Sequence, residues 1–154
     1  MEMARFFSCV CIVVSIIGFS SQPALAKDLQ TIEQMHPANV ACPSNEFSAF
    51  LAAFSERADV QKAFVQQPLK MLTTVAGDPE PEMEKRSVSG DQIKFPIIPD
   101  RVKREADGLT LTVKEERGNN ATAILQKPDT DYVFEYQFVR GQCWRLAKVS
   151  DFSL

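Results

Sequence analysis

The chain has little of what most catalytic and metal sites are made from: 154 residues include one histidine, His36, and four cysteines. A hydrolytic triad needs a nucleophile, a base and an orienting acid, and here the only imidazole stands in a polar stretch. Zinc and iron sites want several Cys or His ligands, so no metal and no cofactor is expected. Glycine is scarce too, six residues in all. Apart from Gly18 in an apolar run they mark turns, which excludes the clustered glycines of phosphate loops and dinucleotide fingerprints. Neither charge sign dominates: 17 basic and 20 acidic residues are interspersed and leave a net charge of −3. Such a balance argues against a nucleic-acid partner and against a polybasic membrane surface.

No apolar run reaches the roughly 20 residues needed to span a bilayer, so no stable membrane anchor is expected. The one notable run, Phe6–Phe19 (FFSCVCIVVSIIGF), follows the short polar start that carries Arg5. Ser20-Ser21-Gln22-Pro23 breaks it, and Ala24-Leu25-Ala26 presents small residues where a signal peptidase reads. This three-part layout predicts a secretory signal over residues 1–26, cut after Ala26, and a periplasmic or secreted product. Cys9 and Cys11 lie inside the apolar run, unlike a lipoprotein cysteine, and would leave with the signal. Cys42 and Cys143 would remain. In an oxidising compartment two cysteines most often pair. Their bond would close a loop of about 100 residues, for which chain entropy gives roughly 4–5 kcal/mol. The alternative, a catalytic thiol, requires a low-pKa thiolate beside a base.

After the signal the pattern predicts a polar N-terminal arm over 27–43, then a single α+β domain over 44–154. Pro43-Ser44-Asn45-Glu46 reads as a helix start capped by Ser44 or Asn45. Phe47, Phe50, Leu51 and Phe54 follow at i, i+3, i+4 and i+7, an amphipathic helix with an aromatic stripe. Asp59 is the expected cap of a second helix, Val60–Gln66, ended by Pro68. The remainder reads as sheet. Leu69–Val75 alternates, and acidic, proline-bearing Gly77–Gly90 is expected as a loop. Ile93–Ile98 is expected as an edge strand, because its prolines cannot donate to a ladder. Leu109, Leu111 and Val113 alternate with polar residues, and Gly118-Asn119-Asn120 turns the chain into Ala121–Gln126.

The strongest strand signal is the last hairpin. Tyr132, Phe134, Tyr136 and Phe138 share one face, and Trp144 and Leu146 return after Arg140-Gly141-Gln142. Burying one face fixes register, and a three-residue bulged loop would set Phe138 beside Trp144 and Tyr136 beside Leu146. The sum is α+β: N-terminal helices packed on a curved antiparallel sheet of four to six strands.

Several motifs invite chemistry and have plainer readings. Asp129-Thr130-Asp131 lacks the Gly and downstream Glu of a calcium loop and reads as a hairpin turn. Asp78, Glu80, Glu82 and Glu84 read as a solvated loop. Glu115 and Glu116 point to opposite faces of a strand, so they cannot act together as acid and base. Asn120-Ala121-Thr122 fits a glycosylation pattern by chance. Helices over a curved sheet often enclose a pocket, for which Tyr132, Tyr136, Glu135 and Arg145 are the candidates by type.

With FSAFLAAF at 47–54, VQKAFVQQPL at 60–69 and the ending YVFEYQFVRGQCWRLAKVSDFSL, the domain resembles the nuclear-transport-factor-like superfamily of cone-shaped α+β domains. It is similar in particular to small secreted bacterial proteins carrying a domain of unknown function with that fold. The resemblance implies a helix-covered cone and natural homodimers through the open sheet face; its motifs are structural and carry over no catalytic position. Three functions remain. The first is an exported, non-catalytic module binding a small ligand or an envelope protein. The second is an inhibitor or immunity-type protein blocking a toxin or hydrolase. The third is a cone-pocket isomerase or dehydratase using a carboxylate and a tyrosine.

Overall fold

Helix α1, Phe47–Glu56, begins where the sequence places it but with a different cap. Glu46, rather than Ser44 or Asn45, accepts from the Ser48 and Ala49 amides at 3.0 and 2.9 Å, while Ser44 Oγ accepts from Glu46 N. A longer carboxylate reaching two free N–H groups at the positive helix end satisfies more donors than one short side chain. The computed structural model describes residues 40–154. The export signal, Cys9, Cys11, the cut after Ala26, His36 and the arm up to residue 39 lie outside the described residues.

Helix α2, Ala58–Phe64, starts two residues earlier than expected, with Asp59 inside the first turn paired to Arg57. It stops at Phe64, short of Gln66, because β1 (Val65–Val75) follows directly. Pro68 therefore lies inside a strand. It falls where the pairing of β1 with its neighbour skips between Val65 and Lys70, so the missing N–H removes no ladder bond. Strand β2, Glu82–Val88, then pairs antiparallel with β1 from Leu69↔Val88 to Val75↔Glu82. This corrects the expectation of a loop over Gly77–Gly90: an edge strand exposed on both faces needs no apolar alternation, only a partner for its backbone.

A second correction concerns Ile93–Ile98. It is no edge strand but part of a strap, residues 89–99, opened by a 3₁₀ turn at Gly90–Gln92 and lying over the sheet with Ile93 and Ile98 buried. The strap leads into α3, Arg101–Asp107, a helix that the apolar pattern did not signal because none of its residues is buried. Its signals are polar. Asp100 Oδ1 accepts from Lys103 N at 2.8 Å, Arg101–Glu105 and Lys103–Asp107 pair at i,i+4, and Gly108 ends the helix at φ 69°.

Strands β3 (Thr110–Arg117), β4 (Asn120–Gln126), β5 (Val133–Arg140) and β6 (Trp144–Asp151) complete one sheet in the order β2-β1-β6-β5-β4-β3. The fold class is α+β, with the helices on one sheet face. All neighbours run antiparallel except β1 and β6, which are parallel, so the sheet is mixed rather than a pure meander. The reason is that β1, the first strand, returns beside the last one. In β3, at the far edge, Leu111 is half-buried and Val113 exposed, less than the alternation promised.

The aromatic core lies where α1 crosses β5 and β6. Phe138 meets the rings of Phe47, Phe54 and Phe50 at centroid distances of 5.2, 5.3 and 6.0 Å. Trp144 packs on Phe47 at 4.9 Å and donates its indole N–H to Asn45 O at 3.0 Å. Each such ring pair adds about 0.5–1.5 kcal/mol beyond the area it buries. The hairpin keeps the expected aromatic face with a shifted register: Arg140↔Trp144, Phe138↔Leu146 and Tyr136↔Val149. The loop is Gly141-Gln142-Cys143, one residue later than expected, and the bulge sits beyond Leu146, at Ala147. Cys143 in that loop is bonded to Cys42, which staples the segment before α1 to the start of β6.

Candidate functional site

The helix-covered sheet face is laid out in rows by strand register. One row, from β2 to β5, reads Arg86, Met71, Val149, Tyr136; the next reads Glu84, Thr73, Asp151, Phe134. Near the aromatic core this face is covered by α1. Toward β1 and β2, among the described residues, it is covered only by the strap, which leaves a groove of about 350 Å³. Leu69, Val149, Phe134 and Tyr136 form its floor, and Ile93, Pro96 and Ile97 of the strap form its wall. Arg86 and Lys94 are the charged residues that line it, with Gln92 and Met71 beside them.

The strap is held by buried polar groups. Gln61 of α2, fully buried, donates Nε2 to Ile98 O at 2.7 Å. Its Oε1 accepts from the Ile97 and Ile98 amides at 2.6 and 3.2 Å. Tyr136, only 2% exposed, donates its hydroxyl to Ile97 O at 3.3 Å. Gln67 accepts from Gly90 N at 3.0 Å at the strap's other end. Beyond it, Arg104 reaches Pro99 O and Glu56, and Glu56 also accepts from Arg101 N at 3.0 Å. These contacts satisfy backbone groups that the strap cannot pair with a sheet.

The four residues expected to share a pocket are not brought together. Tyr136 is on the groove floor, where burial first, then Tyr132 and Asp151, hold its hydroxyl protonated well above the ordinary phenol range. Tyr132, half-buried, packs at a tilt against Phe134, ring centroids 5.0 Å apart. Its hydroxyl is also pushed up, by burial first and then by Asp151 and Asp107. Glu135 alternates onto the opposite sheet face and pairs with Lys114. Arg145 is exposed opposite Val139 and lines a separate recess with Cys42, Phe64, Gln142 and Cys143. The strand period of two decides this: Glu135 cannot share a face with Tyr136.

Arg86, Lys94, Met71 and Gln61 were missed. Arg86 and Lys94 belong to stretches read as loop and edge strand. Gln61 did carry a signal, since it lies three residues before Phe64 on the apolar side of α2. Among the described residues no group of three or more His, Cys, Asp or Glu could hold a metal ion, and no helix is long and apolar enough to cross a membrane.

No family model and no curated protein matches the chain. Among solved structures it is similar to an NTF2-like protein from Bacteroides fragilis NCTC 9343, at 18% identity and a TM-score of 0.48. That match covers 72% of this chain and 49% of the other, so the chain spans about half that structure's length.

Proposed function

We propose that the chain is an exported, non-catalytic binding module that holds a small ligand in the groove beneath the strap. The observation that carries this reading is the groove itself. About 350 Å³ lies within the range of small-molecule sites, and its apolar floor is walled by a segment fixed through fully buried Gln61. A non-catalytic role is supported by the state of Tyr136, whose hydroxyl is committed to a backbone carbonyl and hard to ionise. Export is supported by the apolar run at Phe6–Phe19 and by the Cys42–Cys143 bond, which suits an oxidising compartment.

Native mass spectrometry on protein isolated from its own host's envelope tests the reading. The expected result is a small-molecule mass retained by the wild type and lost in Met71→Trp, which fills the groove. A bare wild-type mass, or retention unchanged by Met71→Trp, would overturn it.

The inhibitor reading keeps one observation in its favour: among the described residues β2 is an edge of the sheet, which another chain could extend by backbone pairing.

A further inference from the structure

We infer that the groove's ligand is an amphipathic anion, a carboxylate on a hydrophobic body, with its head group held between Arg86 and Lys94; this rests on the groove being a ligand site at all. In a chain of net charge −3, both charged residues lining the groove are cations. They come from separate elements, Arg86 from β2 and Lys94 from the strap, so their sharing one groove is a product of the fold and not of a basic run.

Among the described residues neither cation is used up. Arg86 Nε lies 3.7 Å from Glu84 Oε1, too long for a hydrogen bond, and both side chains are about half exposed or more. Such a pair is weakly bound. The fork of guanidinium N–H groups is therefore open to a planar acceptor, the geometry that carboxylates match. Lys94 Nζ donates one N–H, to Asp91 O at 3.0 Å, and an ammonium has three.

The rows also give the ligand a direction. Arg86 ends the row that runs over Met71 and Val149 to Tyr136, so a body lying along that row rests on apolar floor. The adjoining row carries Glu84 and Asp151, the latter accepting from Ser153 N at 3.0 Å. An anionic head placed over that row would meet like charge, which leaves the Arg86 end of the apolar row as its seat. Leu69, Ile93, Pro96, Ile97 and Phe134 around the rest of the groove offer the body no charged partner.

The test uses two dyes that share one aromatic skeleton: anionic 1-anilinonaphthalene-8-sulfonate and uncharged N-phenyl-1-naphthylamine, followed by fluorescence on protein whose fold is checked by circular dichroism. Both should bind, and Met71→Trp should abolish both. The anionic dye should bind about tenfold tighter, the size of one charge-assisted hydrogen bond. Decanoate should displace it better than decanol. The double variant Arg86→Gln/Lys94→Gln, at two exposed positions, should remove that advantage and leave the neutral dye unchanged. Equal binding of the two dyes, or a double variant that weakens both alike, would overturn the anion while leaving the groove as a ligand site. Binding of neither dye would remove the site and the head-group assignment with it.

Discussion

Around Phe138 the helix-covered sheet face is filled by rings from α1, and Trp144 locks the start of that helix to β6; around Met71, two strands away, the same face lies under a strap that is irregular beyond its 3₁₀ turn. Both regions belong to one sheet and face the same way. The difference lies in what covers them. A helix satisfies its own backbone and can press an aromatic stripe onto the sheet. A strap cannot, so its amides and carbonyls must be met by side chains such as Gln61, Gln67 and Tyr136. Those polar anchors hold it at a distance that leaves a cavity. In this molecule, close packing and a binding groove are two outcomes of one choice between helical and irregular cover.

The largest expected effect tests that contrast directly. Phe138→Ala removes a ring that is 1% exposed and touches three others. It should cost about 4 kcal/mol in urea unfolding, in the range for buried Phe-to-Ala changes. Met71→Ala, on the same face but half-buried at the groove, should cost about 1 kcal/mol, since only part of its apolar area is withdrawn from water. Equal losses at the two positions would mean that the groove is packed as tightly as the core, and the comparison would fail.

How much of this was readable beforehand divides along the same line. The closed region was legible: Phe47, Phe50, Leu51 and Phe54 at helical spacing and the alternating Tyr132–Phe138 run named the helix, the strand and the face they share. Even there the pairing partners shifted, because the loop falls one residue later, at Gly141-Gln142-Cys143, and the extra residue at Ala147 moves the pairs beyond Leu146 once more; neither has a mark in the apolar pattern. The open region was not legible. Strand β2 is exposed on both faces and reads as a charged loop, and the parallel pairing of β1 with β6 depends on a return that local sequence does not encode. Helix α3 announced itself only through Asp100, Gly108 and its i,i+4 pairs. For the site, residue type named Tyr136, which stands on the groove floor. It also named Glu135 and Arg145, which strand alternation sets elsewhere, Glu135 against Lys114 and Arg145 in a separate recess.

Next in size is Gln61. Gln61→Met keeps roughly the same volume but strands the Ile97 and Ile98 amides and the Ile98 carbonyl, all three of which the wild-type side chain serves. Leaving buried polar groups unmet costs about 1–3 kcal/mol each, and the strap can move to rehydrate some of them. A total loss of about 3 kcal/mol is expected, with faster hydrogen exchange at Ile97 and Ile98 and little change at β5 amides. Exchange rising equally in β5 would show that strap and aromatic core unfold as one unit, and that the two regions are not separable.

The smallest effect belongs to Glu46, at the start of the helix that closes the packed region. Hydrogen bonds from the Ala49 and then the Ser48 amide hold its carboxyl below the ordinary value, because they stabilise the charged form. A group whose pKa is lowered on folding adds stability that is present above its unfolded pKa, about 4.3 for Glu, and is lost as pH falls through the folded value. Glu46→Gln keeps an acceptor at the cap but removes the charge and its attraction to the positive end of α1. The variant should therefore melt slightly below the wild type at neutral pH, and the gap should close as the medium is acidified below about pH 4. Because Asn45, next to Glu46, accepts the Trp144 indole N–H, the near-ultraviolet signal of Trp144 should follow the same titration. A gap that stays constant down to pH 2 would mean that Glu46 holds α1 as a neutral acceptor. The packed region would then owe its helix start to Trp144 and to the Cys42–Cys143 bond rather than to a charged cap.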